Sequence, residues 1–424
     1  MKILIVNLHS SLNAGDDVLT RVSIDLLQQN FPTAQIMLAM NDPDSWPNPE
    51  VVVGSFVSWL KPNGAFGKGS LIGFVALSFT VFAALFYRAF RIKVFSILPN
   101  RFYPLVKAYD EADLVVSSAG NFLYSSGRFS FAFLMNIFVL AYAVLLKKPL
   151  YMLPQTLGPL RHRWEGWLLG LIARRMRRVF VRDPISMRLL QKVNGWHDRC
   201  QLVPDVAFIF PGGTPSEGHA LLDIANAQPV SPRLGVTLIN WQAQNPQFKR
   251  QEAYETAVAT AIRTFIKQTG GQAILFSQVR GPSPAEDDRV PARRVANTLA
   301  DLGSRVVLIE EANVTAEALK AAYGLMDIFI GTRLHSNIFA LTAGTPAVML
   351  QYQYKTRGVV EMMGLEDWVI DINEVNESNL SEKLVGLWIE REVVKRRIHQ
   401  AVQETIQQIE QVGVLIAADY EAIF

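Results

Sequence analysis

Short runs of β-branched and aliphatic residues alternate along the chain with stretches whose apolar positions recur at helical spacing. A first series of strand-like runs covers residues 3–8, 35–39, 51–57, 114–117, 150–153 and 179–181. The Pro/Gly-rich break Pro211-Gly212-Gly213-Thr214-Pro215 ends it, and a second series follows at 234–239, 273–277, 306–309, 328–330 and 347–350. Repeated strand-helix-strand units predict parallel sheets with right-handed crossovers. The expected class is therefore α/β, with two doubly wound Rossmann-like domains facing a cleft. Their predicted spans are 1–210 and 233–379, joined by a linker at 211–232. A helical tail at 380–424 is expected to pack back across the first domain.

Two stretches break the amphipathic pattern. Residues 71–87 carry no charge, follow Lys61 and Lys68, and precede Arg88, Arg91 and Lys93. That length lies at the lower limit for a spanning helix. A single crossing would divide strands that belong to one sheet, so segment 71–90 is expected to lie in the interface of an anionic membrane. The competing expectation is a helix buried in the first domain or in a dimer contact. The second stretch, 129–146, ends at Lys147-Lys148-Pro149 and predicts a helix buried on both sides, leading into a strand. Further on, Trp164, Trp167, Leu168, Leu171 and Ile172 share one helical face. Arg174, Arg175, Arg177 and Arg178 are expected to close that helix as a solvated cluster opposing its dipole.

Composition narrows the class. With 424 residues, 50% hydrophobic and 19% charged, the chain is neither disordered nor of low complexity, and it is long enough for two or three cores. A net charge of +3 is too mild to predict nucleic-acid binding, and none is expected. The single Cys200 excludes an intramolecular disulfide framework and fits a reducing compartment, so a cytoplasmic location is expected. The apolar run at 3–6 is too short for a signal-peptide core.

In doubly wound sheets ligands bind beyond the carboxyl ends of the strands. After the first run come Ser10, Ser11, Asn13, Gly15 and Asp16, small residues whose backbone amides could face an anion at a helix start. Asp16 could equally be an ordinary N-cap. The G-x-G-x-x-G fingerprint of dinucleotide binding is missing. Gly120 follows the fourth run, Pro154-Gln155-Thr156-Leu157-Gly158-Pro159 reads as a rigid polar loop, and Arg182-Asp183 directly follows a strand. The most informative segment is Gly331-Thr332-Arg333-Leu334-His335-Ser336, where a strand end meets a helix start. There the Arg333 guanidinium can fork onto a phosphate or carboxylate, and His335 can serve as general acid or base. A core histidine bonded to backbone is the bland alternative. Tyr352 to Lys355 could bring a second cation to the same rim.

These residues resemble the polysaccharide pyruvyl transferase family, in its colanic-acid biosynthesis branch. The matching pieces are Asn13-Ala14-Gly15-Asp16, Gln155 to Pro159, Val181-Arg182-Asp183 with Ser186, Pro204-Asp205 and Asp287-Asp288-Arg289. The Arg333 cluster, Gly344-Thr345-Pro346 and Tyr352 to Lys355 complete them. The resemblance implies a fold similar to two-domain, GT-B type glycosyltransferases. It also implies transfer of pyruvate from phosphoenolpyruvate to a sugar as a ketal, with phosphoenolpyruvate as co-substrate and neither metal nor cofactor. On that reading His335 is the acid, Arg333 and Arg182 clamp the donor, and Asp16 or Glu310 receives hydroxyl protons. Asn13, Gly15, Gly120, Gln155, Ser336 and Lys355 line the substrates. The implied acceptor is a sugar of an exopolysaccharide or cell-surface glycan precursor, carried on a lipid at the inner face of the cytoplasmic membrane. Ala119-Gly120 departs from the Gly-Gly pair frequent in the family. Two other classes stay open: a nucleotide-sugar glycosyltransferase, using Glu310-Glu311 on the ribose, and a membrane-bound interaction protein of a polysaccharide assembly machine. A homo-oligomer is compatible with all three.

Overall fold

The computed structural model describes residues 1–11, 13–61, 66–125, 130–281, 284–311, 314–352, 360 and 363–422. Two compact units emerge. Met1–Leu12, Asp16–Val206 and Gln408–Phe424 form the first, and Asn13–Gly15 with Ala207–Gln407 form the second.

The first unit runs β1 (Lys2–Leu8), α1 (Ala14–Asn30), β2 (Gln35–Met40), β3 (Val52–Gly54), α2 (Phe56–Leu60), α3 (Lys68–Phe90), α4 (Tyr103–Glu111) and β4 (Leu114–Ser117). It continues with β5 (Gly120–Leu123), α5 (Phe131–Leu145), β6 (Leu150–Leu157), α6 (Arg163–Ala173), β7 (Arg178–Val181), α7 (Pro184–Lys192) and β8 (Cys200–Leu202). Its strands join in the order β3-β2-β1-β4-β6-β7-β8, with β5 also on β6, and every pairing is parallel. The order reverses between β1 and β4, which makes their carboxyl ends the switch point where such sheets hold ligands.

Three details differ from the sequence reading. The run 51–57 is strand only to Gly54, because the Ser55 hydroxyl accepts from Val57 N at 3.1 Å and starts α2, which buries Phe56, Trp59 and Leu60. Residues 154–157 are strand rather than loop, because β5 supplies β6 with extra pairing at Gly120–Gln155 and Leu123–Leu157. The helix after residue 160 ends at Ala173, and Arg178 opens β7. Its buried face is Glu165, Gly166, Leu169, Gly170, Ile172 and Ala173, while Trp164 and Trp167 point outward. Small residues let α6 approach Val193 closely; a Cβ on Gly170 would stand 2.0 Å from the Val193 carbonyl oxygen. α5 is largely buried, as its uncharged sequence predicts.

The second unit comprises α8 (Pro215–Ile224), β9 (Arg233–Thr237), α9 (Trp241–Gln244), α10 (Gln251–Thr269), β10 (Gln272–Phe276) and α11 (Arg289–Thr298). Then follow β11 (Val306–Leu308), α12 (Ala316–Tyr323), β12 (Ile328–Gly331), α13 (Leu334–Thr342), β13 (Ala347–Gln351) and β14 (Val369–Asp371). The sheet order β11-β10-β9-β12-β13-β14 is again all parallel, with its reversal between β9 and β12. Segment 211–232, read from sequence as a linker, contains α8. Its start is a capping box, Thr214 N donating to Glu217 Oε2 at 2.7 Å. α8 packs on α12 at Gly218, where a Cβ would meet the Ala321–Ala322 backbone at 2.8 Å.

The C-terminal helix spans Glu377–Glu421, 45 residues. Its last part packs on the first unit: Arg178 forks onto Asp419 at 2.7 and 2.9 Å, and Tyr420 meets Phe31 edge-on. Both members of the ion pair are only 14% exposed, so the charge on Arg178 depends on Asp419 for compensation. Asp419→Ala should cost about 2 kcal/mol and lower the melting temperature of the first unit by about 4–8 °C. Calorimetric scanning checks this, with Lys107→Ala on an exposed ion pair as the silent control.

Candidate functional site

The β12–α13 turn lies at the switch point of the second sheet, and hydroxyl groups fix its backbone. Thr332 Oγ1 donates to Thr237 O at 3.0 Å, and Thr332 N donates to Thr237 Oγ1 at 3.2 Å. Ser336 Oγ donates to Arg333 O at 2.7 Å and lies 2.8 Å from Thr237 Oγ1. The Tyr254 hydroxyl bonds Thr332 Oγ1 at 2.9 Å and accepts from Ile239 N at 3.2 Å. Gly331 is required because a Cβ there would stand 1.7 Å from Asn337 Oδ1. Arg333 is thereby held at the N-cap with extended backbone, and His335 falls in the first helical turn. No acidic residue stands in that turn, so the positive helix end is not neutralised from within.

Arg333 is not a free cation. Its Nε lies 3.2 Å from both oxygens of Asp288, and Nη2 lies 2.7 Å from Oδ1. Asp288 is fully buried, directly precedes α11, and accepts from Val279 N at 2.9 Å. Burial pushes its carboxyl pKa up, and Arg333 opposes that shift. Burial also works against the charge on Arg333, but Asp288 and the Tyr352 hydroxyl outweigh it and hold its pKa above the ordinary value. Tyr352, expected at this rim, is therefore there, packed edge-on against Trp241. Lys355 lies outside the described residues. Gly15, which groups with this unit, reaches the same turn, since a Cβ on it would stand 2.3 Å from His335 Nδ1.

The other expected residues take different places. Asn13 Oδ1 accepts from Gly15 N at 3.0 Å and so caps α1, the role weighed for Asp16. Asp16 and Asp17 both sit in the first turn of α1, which turns that helix start from the expected anion site into one carrying negative charge. Gly120 (φ 145°) begins β5 opposite Gln155. Gln155 is fully buried, and its Oε1 has no hydrogen-bond partner among the described residues. Arg182, also buried, donates from Nε to Thr156 Oγ1 at 2.7 Å and from Nη1 to Asp205. Nearby, Asp183 caps α7 through Ser186, whose hydroxyl accepts from Leu157 N at 2.8 Å. Ser336 spends its hydroxyl on the turn itself. Glu310 is half-exposed and pairs with Arg293 at 2.5 Å.

The turn thus gathers Arg333, His335, Ser336 and Gly15, and adds Asp288. Sequence reasoning assigned Asp288 no role, although its motif was among the pieces that carried the resemblance.

Comparison with known proteins bears on the family and the fold. The profile of the polysaccharide pyruvyl transferase family matches residues 13–354. The amylovoran biosynthesis protein AmsJ of Erwinia amylovora is 26% identical over 433 residues, covering 95% of this chain and 96% of that protein. Among solved structures, sucrose-phosphate synthase from Thermosynechococcus elongatus matches 100% of this chain and 99% of its own, with TM-score 0.58 and 13% identity. Anabaena HepE in complex with UDP and glucose matches over 100% of both chains with TM-score 0.56 and 12% identity. Such low identities speak for the fold alone, two Rossmann-like domains of the GT-B kind. The family match extends over most of the sequence and includes the Arg333 turn: the chain belongs to the polysaccharide pyruvyl transferase family.

Proposed function

We propose that this protein moves the pyruvyl group of phosphoenolpyruvate onto two hydroxyls of one sugar in an exopolysaccharide or cell-surface glycan precursor. The observation that carries the reading is the Arg333–His335 pair at a helix start with no acid in its first turn, at the sheet's switch point. A dianionic phosphate is stabilised there by the helix dipole and by a guanidinium already oriented by Asp288. His335 delivers a proton to C3 of the donor, which leaves C2 electron-poor. The first sugar hydroxyl bonds to C2 and gives up its proton, with Asp16, next in sequence to Gly15, as the proposed acceptor. The C2–O bond to phosphate then breaks, and the second hydroxyl closes the ketal with loss of its own proton. Phosphoenolpyruvate is the co-substrate, and no metal or organic cofactor has a part in the scheme. A lipid-linked acceptor would bring the reaction to the inner face of the cytoplasmic membrane. Arg182 is proposed to act on the substrate through Thr156, since its own charge is already matched by Asp205.

Arg333→Ala is a poor test, because it strands a buried Asp288 at a cost of about 3–5 kcal/mol. Arg333→Lys keeps the charge but cannot fork onto two oxygens. By titration calorimetry, phosphoenolpyruvate should bind the native chain and bind Arg333→Lys at least about tenfold more weakly. Tight binding of a nucleotide sugar, with phosphoenolpyruvate ignored, would establish the glycosyltransferase alternative instead.

His335→Gln should leave phosphoenolpyruvate affinity in place and reduce turnover by roughly 10²- to 10⁴-fold, the usual range for a lost general acid. Unchanged turnover per folded molecule, with a lowered melting temperature, would return His335 to a structural role.

A further inference from the structure

α3 is built inside out for a protein in water. Its fully buried positions are small residues, Gly73, Ala76, Thr80, Ala83 and Ala84; Leu77, Phe79 and Tyr87 are partly buried against the core, and most of its other large apolar side chains face away from the unit. Leu71, Val75 and Phe82 are 72%, 63% and 58% exposed, with Ile72 and Leu85 beside them. The small side serves close packing: α3 lies against α2 and α5, and a Cβ on Gly73 would stand 2.1 Å from the Trp59 carbonyl oxygen. α6, which also packs on α5, repeats the device with buried glycines and outward Trp164 and Trp167. Aromatic contacts run along the helices between them, Phe66 against Phe131 at 5.0 Å and Phe133 against Trp164 at 6.2 Å. Exposed apolar surface on this scale marks an interaction site.

The surrounding charge identifies the occupant. From residue 51 to residue 109 the sequence contains no Asp or Glu and seven Lys or Arg. Arg88 and Arg91 are exposed at the end of α3, and the Lys61 ammonium lies 4.9 Å from the Phe66 ring centre. Of these cations Lys93 pairs with Asp110 and Lys107 with Glu111, while Lys61, Arg88 and Arg91 give the apolar face a basic border, which is complementary to an anionic bilayer. A second copy of the chain would bring the same cations to the contact with no acid from this segment to meet them. A full crossing conflicts with the protein side of the helix: α3 is long and apolar enough to span, yet 33% of the span is already buried against the unit.

We infer that α3 lies in the plane of an anionic membrane surface, its outward face inserted among the acyl chains and its basic ends among the headgroups, as a reversible anchor of the first unit. At about 1.5 Å per residue its 23 residues offer a contact line of about 35 Å. The donor chemistry proposed above is not needed for this inference, and its test involves no turnover.

The test is flotation of the full chain with vesicles of phosphatidylcholine alone or with about a quarter phosphatidylglycerol. Partition onto the anionic vesicles should be at least about tenfold stronger, weakening in high salt without vanishing, because buried apolar area is not screened. The double variant V75E/F82E should lose at least about tenfold in partition while keeping its circular dichroism and melting temperature. If the native chain stays unbound, or if the folded variant floats as well as the native chain, the inference fails. It also fails if the native chain is a dimer that V75E/F82E separates and neither binds vesicles. Should that variant not fold, V75C labelled with an environment-sensitive fluorophore decides, since native Cys200 is buried. A blue shift confined to anionic vesicles supports the inserted face, and unchanged emission overturns it.

Discussion

Asp288 has no exposed surface, and a carboxylate in that position is tolerable because the Arg333 guanidinium forks onto it and Val279 N donates to it. The pair joins two places far apart in sequence, the start of α11 and the start of α13, and so fixes the loop beyond β10 against the turn beyond β12. Removing one partner would leave the other charge stranded, which is why this contact constrains the second unit more than its surface ion pairs do. It also aims the guanidinium. Two of its nitrogens are spent on Asp288, so the orientation of the guanidinium is set in advance, with little side-chain entropy left to lose.

The first unit solves the same problem in the same way. Arg182 is buried against Asp205 and Thr156, as Arg333 is buried against Asp288 and Tyr352. The two helix starts contrast instead. α13 carries no acid in its first turn, whereas α1 carries Asp16 and Asp17. Under the proposed function the first would hold the phosphate, and the second would receive hydroxyl protons. The proposed transfer needs both kinds of environment, a site for departing phosphate and a place for hydroxyl protons.

Much of the fold was legible in the sequence, because parallel strands buried on both faces read as plain β-branched runs and the Gly331 to Ser336 segment joins strand and helix signals directly. The misreadings have local causes. Ser55 ends β3 early by capping a helix, and β5, too short to show as a run, converts the supposed polar loop at Gln155 into strand. The faces of α3 and α6 were harder, since spacing alone does not tell whether large or small apolar residues turn inward. Least legible were the counter-ions. Asp205 and Asp288 stand 23 and 45 residues from their arginines, and no periodicity links partners so separated. Glu310, chosen for its place after a strand, is held instead by Arg293 on the surface.

The central claim is a transfer that begins with protonation of a donor carbon. It is tested most directly by running the reaction in D₂O with carbon-13 labelled phosphoenolpyruvate and a glycan precursor, followed by nuclear magnetic resonance of the product. The account predicts one equivalent of inorganic phosphate per turnover and a labelled ketal whose methyl group carries a single deuterium, delivered through the exchanged His335 imidazolium. A sugar transferred from a nucleotide donor, with no label in the product and no phosphate released from phosphoenolpyruvate, would contradict it.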